Sequence, residues 1–257
     1  MDQLKDFADP RLIDGCIYCG GFQETKDHVP SKVFLDRPLP TNLPVVPACR
    51  ECNNGFSRDE EYVACLLEAV AVGSTDPDRV GRSVVADILR RSPGLRSLIE
   101  ATKSGSEGQV IFSVDMGRVQ SILLKLARGH AAYELSAVCR GDPKGLSCGP
   151  LAFLSDEERE VFNGVHVTQL FGEVGSRGLQ REVVAQVSLV SATGEGSTLG
   201  LVVNDWLDVQ EGRYRYLAYQ EANEIRVRIV IGEYLYCDVF WSSDQQKGDR
   251  TISAKSH

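Results

Sequence analysis

The sequence has no long apolar run and no excess of positive charge. No stretch approaches the ~18 consecutive apolar residues of a transmembrane helix, so we do not expect a membrane protein. The N-terminal segment 1–10 is acidic and polar and does not resemble a secretory signal. Lysine and arginine total 28 against 36 acidic residues, a net charge of −8. This balance excludes a protein that coats nucleic acid through a generally basic surface. Because neither a transmembrane helix nor a secretory signal is predicted, we expect a cytoplasmic protein.

The rest of the composition is that of an ordinary folded protein. Hydrophobic residues make up 42% and charged residues 25% of the 257 residues, which excludes a disordered or fibrous chain. This length allows one large domain or two to three small ones. The sequence shows no fixed-period repeat.

The eight cysteines are the first informative feature. Four form two C-x-x-C pairs, Cys16 with Cys19 and Cys49 with Cys52, whereas the other four are scattered singly. Thiols in a cytoplasm stay reduced, so the two pairs predict a zinc site with four thiolate ligands. Because four protein ligands leave no open coordination position, we predict that this zinc is structural and not catalytic.

Three short polar motifs lie between and after these pairs. They are Asp27-His28-Val29-Pro30, then Asn42-Leu43, and then Asn53 directly after the second C-x-x-C pair. In this order and spacing they resemble the zinc-containing HNH nucleases, members of the ββα-metal (His-metal finger) group. The resemblance covers about residues 16–62. It implies a metal-dependent endonuclease that hydrolyses phosphodiester bonds in DNA, with DNA as its partner.

The resemblance also assigns a role to each motif residue. It implies that His28 is the general base, that Asp27 and Asn53 bind a catalytic Mg²⁺ or Mn²⁺, and that Asn42 orients the His28 ring. A histidine is the usual base at neutral pH, and oxygen ligands suit a hard divalent ion.

A simpler structural explanation exists for each of these residues. Asp27 and Asn42 could be turn residues, Asn53 a helix cap, and His28 a buried neutral ring or a zinc ligand. The lysine that many family members carry after the second pair is missing, and Asn54 stands beside Asn53. Either asparagine could therefore be the last metal ligand.

The chain divides into three parts in an α+β fold. We predict a nuclease module at 1–62, a mainly helical segment at 63–150, and a β-rich domain with a short leading helix at 151–257. Capping boxes at Ser57–Glu60 and Ser155–Glu158 predict two helix starts. Further helices are predicted at 77–91, 93–103 and 116–135. Strands are predicted at 165–173, 181–190, 198–209, 213–219, 225–231 and 234–241, and the polar tail after Ser242 is expected to fray.

One hairpin of the β-rich part carries a second hint of nucleic-acid binding. In one strand register its four arginines share a solvent-exposed face with Tyr219. Such a face could bind phosphates or stack a base, although a solvated sheet face without a ligand is the alternative. The arginines are Arg213, Arg215, Arg226 and Arg228.

Three functional hypotheses follow. The first is a DNA endonuclease, in the context of a bacterial restriction or anti-phage defence effector, whose targeting comes from a protein partner or a homo-oligomer. The second is a zinc-stabilised binding or assembly module with weak or no catalysis, which the negative charge and the missing lysine favour. The third is an RNA or single-strand nuclease guided by the β-rich part.

Overall fold

The computed structural model describes residues 4–106, 109–191, 193 and 196–242. Over these residues the chain is mixed α and β, with a helical middle and a β-rich C-terminal region, as the sequence predicts. The polar tail after Ser242 lies outside the described residues. Within the described ranges, no helix is both long enough and apolar enough to cross a membrane.

A small antiparallel hairpin and two consecutive helices form the N-terminal part. Strand β1 (Thr25–His28) pairs with β2 (Val45–Ala48), and His28 lies opposite Val45. Helix α1 (Arg50–Gly55) follows β2 directly, and α2 (Ser57–Val72) follows α1. Along β1 the side chains alternate, so that Asp27 is buried while its neighbours face the other side of the hairpin.

The helix start predicted at Ser57 is confirmed, since α2 begins there, but the predicted capping box at Ser57–Glu60 is wrong. The helical region begins earlier, at the second C-x-x-C pair, where Cys49 Sγ accepts a hydrogen bond from the backbone N–H of Cys52. Phe56 separates α1 from α2 and is the N-cap of α2 without a side-chain cap. Ser57 therefore lies inside the helical region, and the Glu60 carboxylate is free for other contacts.

The middle of the chain is mainly helical. It contains α3 (Ser83–Arg91), α4 (Pro93–Glu100), the hairpin strands β3 (Lys103–Ser106) and β4 (Gln109–Phe112), and α5 (Met116–Leu135). Helix α5 has the predicted bounds. The helix predicted from residue 77 begins only at Ser83, because the buried Arg82 guanidinium donates to Asp36 and to two backbone carbonyls and holds residue 82 extended.

Two antiparallel sheets make up the C-terminal region. The elements are β5 (Gly145–Pro150), α6 (Asp156–Asn163), β6 (His166–Val167), α7 (Arg177–Gln180), β7 (Val183–Val190), β8 (Gly196–Asn204), β9 (Leu207–Gln210), β10 (Tyr214–Glu221), β11 (Glu224–Ile231) and β12 (Leu235–Ser242). The larger sheet has the order β5-β12-β11-β10-β9, and the smaller one β6-β8-β7. The capping box at Ser155–Glu158 is confirmed. The sequence does not predict β5, nor the break that divides residues 198–209 between two sheets.

Helix α5 is the central element of the core. It contacts α2 on one side and strands β10, β11 and β12 on another. The alternation of the three strands places one face of the larger sheet against the helix. Near its C-terminal end, α5 approaches the residue after β1, and a Cβ on Gly129 would lie 2.5 Å from Val29 Cγ2. Only glycine allows this approach of the helix to the hairpin.

Replacement of Gly129 by alanine is therefore expected to lower the free energy of unfolding by about 1–3 kcal/mol, because Val29 is fully buried and must shift. Gly94 is the matched control, since it also lies in a helix and its Cβ would meet no atom within 4 Å. Gly94→Ala should raise stability by about 0.5–1 kcal/mol. Urea unfolding of both variants measures the difference. Equal effects of the two substitutions would contradict the close approach.

His130 of α5 is completely buried against the larger sheet. Its Nε2 lies 2.8 Å from the Tyr214 hydroxyl, and its ring stacks on Tyr216 at a centroid distance of 3.7 Å. Burial lowers the pKa of His130 well below its usual value, and the charge of Lys125 acts in the same direction. The ring is therefore neutral in the folded protein, and His130 is a core residue.

Acidification is expected to destabilise the protein through this ring. Because the unfolded state alone binds a proton at His130 below pH about 6.5, stability is complete above that value and is lost as the pH falls. Between about pH 7.5 and about pH 5.5, the wild type should lose about 1 kcal/mol more than His130→Gln. Urea unfolding of both proteins at each pH gives the comparison, and parallel losses would show that His130 does not contribute.

Candidate functional site

The four cysteines of the two C-x-x-C pairs come together, as predicted. Their Sγ atoms all lie within 4.8 Å of one another, and the Cys19 and Cys49 sulfurs are 3.7 Å apart. Bonds of ~2.3 Å to a tetrahedral zinc would place the sulfurs about 3.8 Å apart. Cys16 and Cys49 are buried, whereas Cys19 is exposed. The cluster can bind one metal ion with four thiolate ligands.

The local backbone explains how the first pair reaches the second. Gly15 and Gly20 have φ values of 68° and 80°, which favour glycine, and they close a tight turn in which the Gly20 N–H donates to the Cys16 carbonyl. The Ile17 N–H donates to the Pro47 carbonyl of β2. The first pair is thereby attached to the same hairpin that carries Asp27 and His28, so a metal at the cysteines would fix that hairpin.

His28 occupies the last position of β1 and is half-buried. In the described part of the chain, its ring makes no hydrogen bond and belongs to no cluster of metal-ligating side chains. Burial is the main factor that lowers its pKa, Lys32 and Lys125 act in the same direction, and Asp27 opposes them. The ring is therefore neutral at pH 7 and able to accept a proton.

Asp27 lies next to His28 but is engaged in a buried ion cluster. Its Oδ2 accepts a hydrogen bond from the Tyr18 hydroxyl at 2.8 Å and lies 2.8 Å from Lys125 Nζ. Lys125 comes from α5, and its side chain is 1% exposed. Burial raises the pKa of Tyr18 well above its usual value, and Asp27 and Glu60 act in the same direction. Tyr18 therefore stays protonated and donates to the carboxylate.

Glu60 and Ser31 complete the cluster around Lys125. The ammonium donates to Glu60 Oε1 at 2.7 Å and to Ser31 Oγ at 2.8 Å, and Ser31 donates in turn to Glu60 Oε1 at 2.5 Å. The Phe56 ring covers the group, with its centroid 5.9 Å from Lys125 Nζ. We call Asp27, Glu60, Ser31 and Lys125 the lysine cluster. It brings two carboxylates close to one ammonium and has a net charge of −1.

The asparagines of the motif lie at separate places. Asn42 is exposed in the turn before β2, and its side chain makes no hydrogen bond to His28 or to any other residue of the described ranges. Asn53 lies in α1, and its Nδ2 donates to Thr25 Oγ1 at 3.1 Å, on the same face of β1 as Asp27. Asn54 is exposed. The roles of Asn42 as orienter and of Asn53 or Asn54 as metal ligand stay predictions.

The hairpin of β10 and β11 adopts the register that groups three of the four predicted arginines. Arg215, Arg226 and Arg228 share one face with Tyr219. That face is not open to solvent, because α6 and Trp206 lie over part of it and the arginine side chains are only 12–23% exposed. Each arginine has an acidic partner: Glu233 for Arg215, Glu224 and Asp238 for Arg226, and Asp238 for Arg228.

Arg213 lies apart from that face. It precedes β10 and pairs with Asp36 at 2.5 Å and with Glu68 at 3.4 Å, in the same ion cluster that holds Arg82. Three of the four predicted arginines therefore share one face, and the fourth does not. A nucleic-acid-binding role for any of them would have to compete with these internal ion pairs.

Three residues of the site are not predicted from the sequence: Lys125, Tyr18 and Ser31. A signal for Lys125 was present, since it interrupts the apolar face of the predicted helix 116–135, one turn after Ile122 and one turn before Gly129. A lysine there must be paired or must extend to solvent. The identity of its partners required the tertiary structure.

Comparisons with known proteins give no assignment. No family model, no curated protein and no solved structure matches this chain. The site must therefore be interpreted from its own geometry.

Removal of one thiolate tests the metal centre. We expect about one tightly bound zinc per chain in the wild type and its loss in Cys49→Ser, with a lower melting temperature because the hairpin is no longer fixed. Cys148→Ser is the control, since Cys148 lies outside the cluster. Elemental analysis and thermal unfolding measure both effects. A Cys49→Ser protein that keeps its zinc would refute the four-cysteine centre.

Proposed function

We propose that the protein is a metal-dependent HNH endonuclease that hydrolyses phosphodiester bonds in DNA. The observation that carries the proposal is the position of His28. A neutral, half-buried imidazole without a hydrogen-bond partner in the described residues stands at the end of a strand that the four-cysteine cluster attaches to α1. The hairpin, the four-cysteine cluster and the helix that follows it support the proposal, because the sequence resemblance implies these three parts.

His28 has the chemistry of a general base in this proposal. It takes a proton from a water molecule, which then attacks the phosphorus while the 3′ oxygen leaves. Lys32 is close enough to His28 to lower the pKa of its ring. Its positive charge therefore favours the neutral form of the base and would attract the phosphate.

Asp27 is the residue that would hold the catalytic divalent ion, together with Asn53. Carboxylate and amide oxygens suit Mg²⁺ or Mn²⁺, and the net charge of −1 on the lysine cluster attracts a cation. The ion, when bound, would neutralise charge on the phosphate. Lys125 and Tyr18 both bind Asp27 Oδ2 and fix the orientation of this carboxylate.

A specific observation favours a second candidate, a zinc-stabilised binding module without catalysis. The Lys125 ammonium already pairs with Asp27, and a buried ion pair of this kind can be purely structural. In that case the four-cysteine centre and the lysine cluster would both serve only to hold the hairpin against α2 and α5. Cleavage assays separate the two candidates.

Cleavage of supercoiled plasmid by the purified protein with Mg²⁺ or Mn²⁺ is the test. The wild type should cut, and His28→Ala should cut about 10²–10⁴-fold more slowly because the general base is lost. His166→Ala is the matched control, since His166 is a half-buried histidine stacked on Tyr219 at a centroid distance of 3.7 Å in the C-terminal region. It should cut at the wild-type rate.

The alternatives give distinct results in the same assay. Equal rates for His28→Ala and the wild type would refute the assignment of the base. Cleavage of RNA or of single-stranded DNA alone would replace duplex DNA as the substrate. Failure of zinc-loaded wild type to cut any of these nucleic acids would favour the binding module.

A further inference from the structure

A cleft of 230 Å³ lies beside the lysine cluster, between the segment after β1 and helices α2 and α3. Its lining includes Lys32, Arg37, Arg91, Glu60 and Glu61. Ser57 and the apolar side chains of Val33, Leu39, Val84 and Ile88 form the rest of its wall. Glu60 is shared between the cleft and the lysine cluster, so the cleft is adjacent to Asp27 and to the end of β1.

Both acids of this cleft already have a cationic partner, although Glu60 shares its partner with Asp27. Glu60 binds Lys125, and Glu61 binds Arg91. Lys32 and Arg37, in contrast, are exposed and form no ion pair with any acidic residue of the described ranges. The two uncompensated positive charges stand at the opening of the cleft, in a protein whose net charge is −8.

The surrounding acids are also paired elsewhere. Asp36 binds Arg82 and Arg213, and Asp59 binds Arg118. They therefore do not compete for Lys32 or Arg37. On the other side of His28, Lys26 is exposed on the same face of β1 and is likewise without an acidic partner in the described part of the chain.

We propose that Lys32 and Arg37 form a subsite for the phosphodiester backbone of duplex DNA, which holds a phosphate next to the one at His28. The subsite rests on the proposed nuclease function and specifies where its substrate is bound. Phosphate contacts of lysine and arginine fix the register of a nucleic acid on a protein without reading its sequence. Lys32 lines the cleft and follows His28 by only four residues in the chain, so it connects the subsite with the end of β1.

This subsite differs from the arginine face predicted from the sequence. Arg215, Arg226 and Arg228 are each paired with an acid inside the protein, so a phosphate would have to displace a carboxylate. At Lys32 and Arg37 a phosphate would displace only water and counterions. The uncompensated cations therefore favour the N-terminal cleft over the C-terminal sheet.

Salt-dependent binding of a short labelled DNA duplex tests the subsite. The measurements use zinc-loaded full-length protein with Ca²⁺ in place of Mg²⁺, and compare the wild type with Lys32→Ala/Arg37→Ala. Each lost phosphate contact reduces the slope of log K against log salt by about 1, so the double variant should lose about 2. Its zinc content and melting temperature should be unchanged, because both side chains are exposed.

Two control variants make the result specific. Arg79→Ala/Lys144→Ala removes two exposed cations outside the cleft, and should keep the wild-type slope. Arg215→Glu/Arg228→Glu tests the C-terminal face. A fall in slope for this variant, with a wild-type slope for Lys32→Ala/Arg37→Ala, would overturn the subsite. An equal fall in the slope for the Arg79→Ala/Lys144→Ala control would also overturn the subsite, since the loss of any two exposed cations would then reduce the slope by the same amount.

Parallel cleavage assays separate this inference from the proposed function. If the wild type cuts DNA and the Lys32→Ala/Arg37→Ala variant keeps the wild-type slope, the subsite is wrong and the nuclease stands. If the slope falls as expected and no variant cuts, the cleft is supported as a DNA-binding site and the nuclease is refuted. Absence of any salt-dependent binding by the wild type would overturn the subsite.

Discussion

The buried ammonium of Lys125 is the interaction on which the candidate site depends. An isolated charge in a protein interior is strongly unfavourable unless it is paired and hydrogen-bonded. Here Asp27, Glu60 and Ser31 provide three oxygen atoms within 2.8 Å of the nitrogen. Each of these oxygens belongs to a different element, so the position of Lys125 determines how β1, the segment after it and α2 meet.

Two separate clusters of side chains hold the hairpin of β1 and β2 in place. The cysteine cluster connects its outer end to α1, and the lysine cluster connects its inner end to α2 and α5. Gly129 adds a steric condition, since it lets α5 lie directly against Val29. Together they fix Asp27 in the interior while His28 stays half-open on the opposite side of the strand. The end of β1 therefore carries a fixed, buried carboxylate next to a more accessible imidazole.

Much of this arrangement could be predicted from the sequence, and the failures have physical causes. The four cysteines were predictable because two C-x-x-C pairs have few other uses in a reduced protein. Helix α5 was predictable from its apolar period. The prediction of a capping box at Ser57–Glu60 was wrong because serine and glutamate can form either a helix cap or other polar contacts. Only the tertiary structure brings Lys125 next to Glu60.

The arginines of the C-terminal hairpin show another limit of sequence analysis. Alternation correctly grouped Arg215, Arg226 and Arg228 on one face. It could not show that Asp238 of β12 and Glu233 would neutralise them, because the pairing of β11 with β12 is a property of the assembled sheet. The charge of a side chain indicates a ligand-binding role only once its ion-pair partners within the protein are known.

The contact of Lys125 with the hairpin sets a limit on how far the protein can be shortened. A fragment of residues 1–62 would retain all four cysteines and every residue of the HNH-like motif. It would lack the ammonium that pairs with both Asp27 and Glu60, and it would expose the side of Val29 that α5 covers. The smallest unit with an intact candidate site therefore extends through α5, far beyond residues 16–62, over which the sequence resemblance can be recognised.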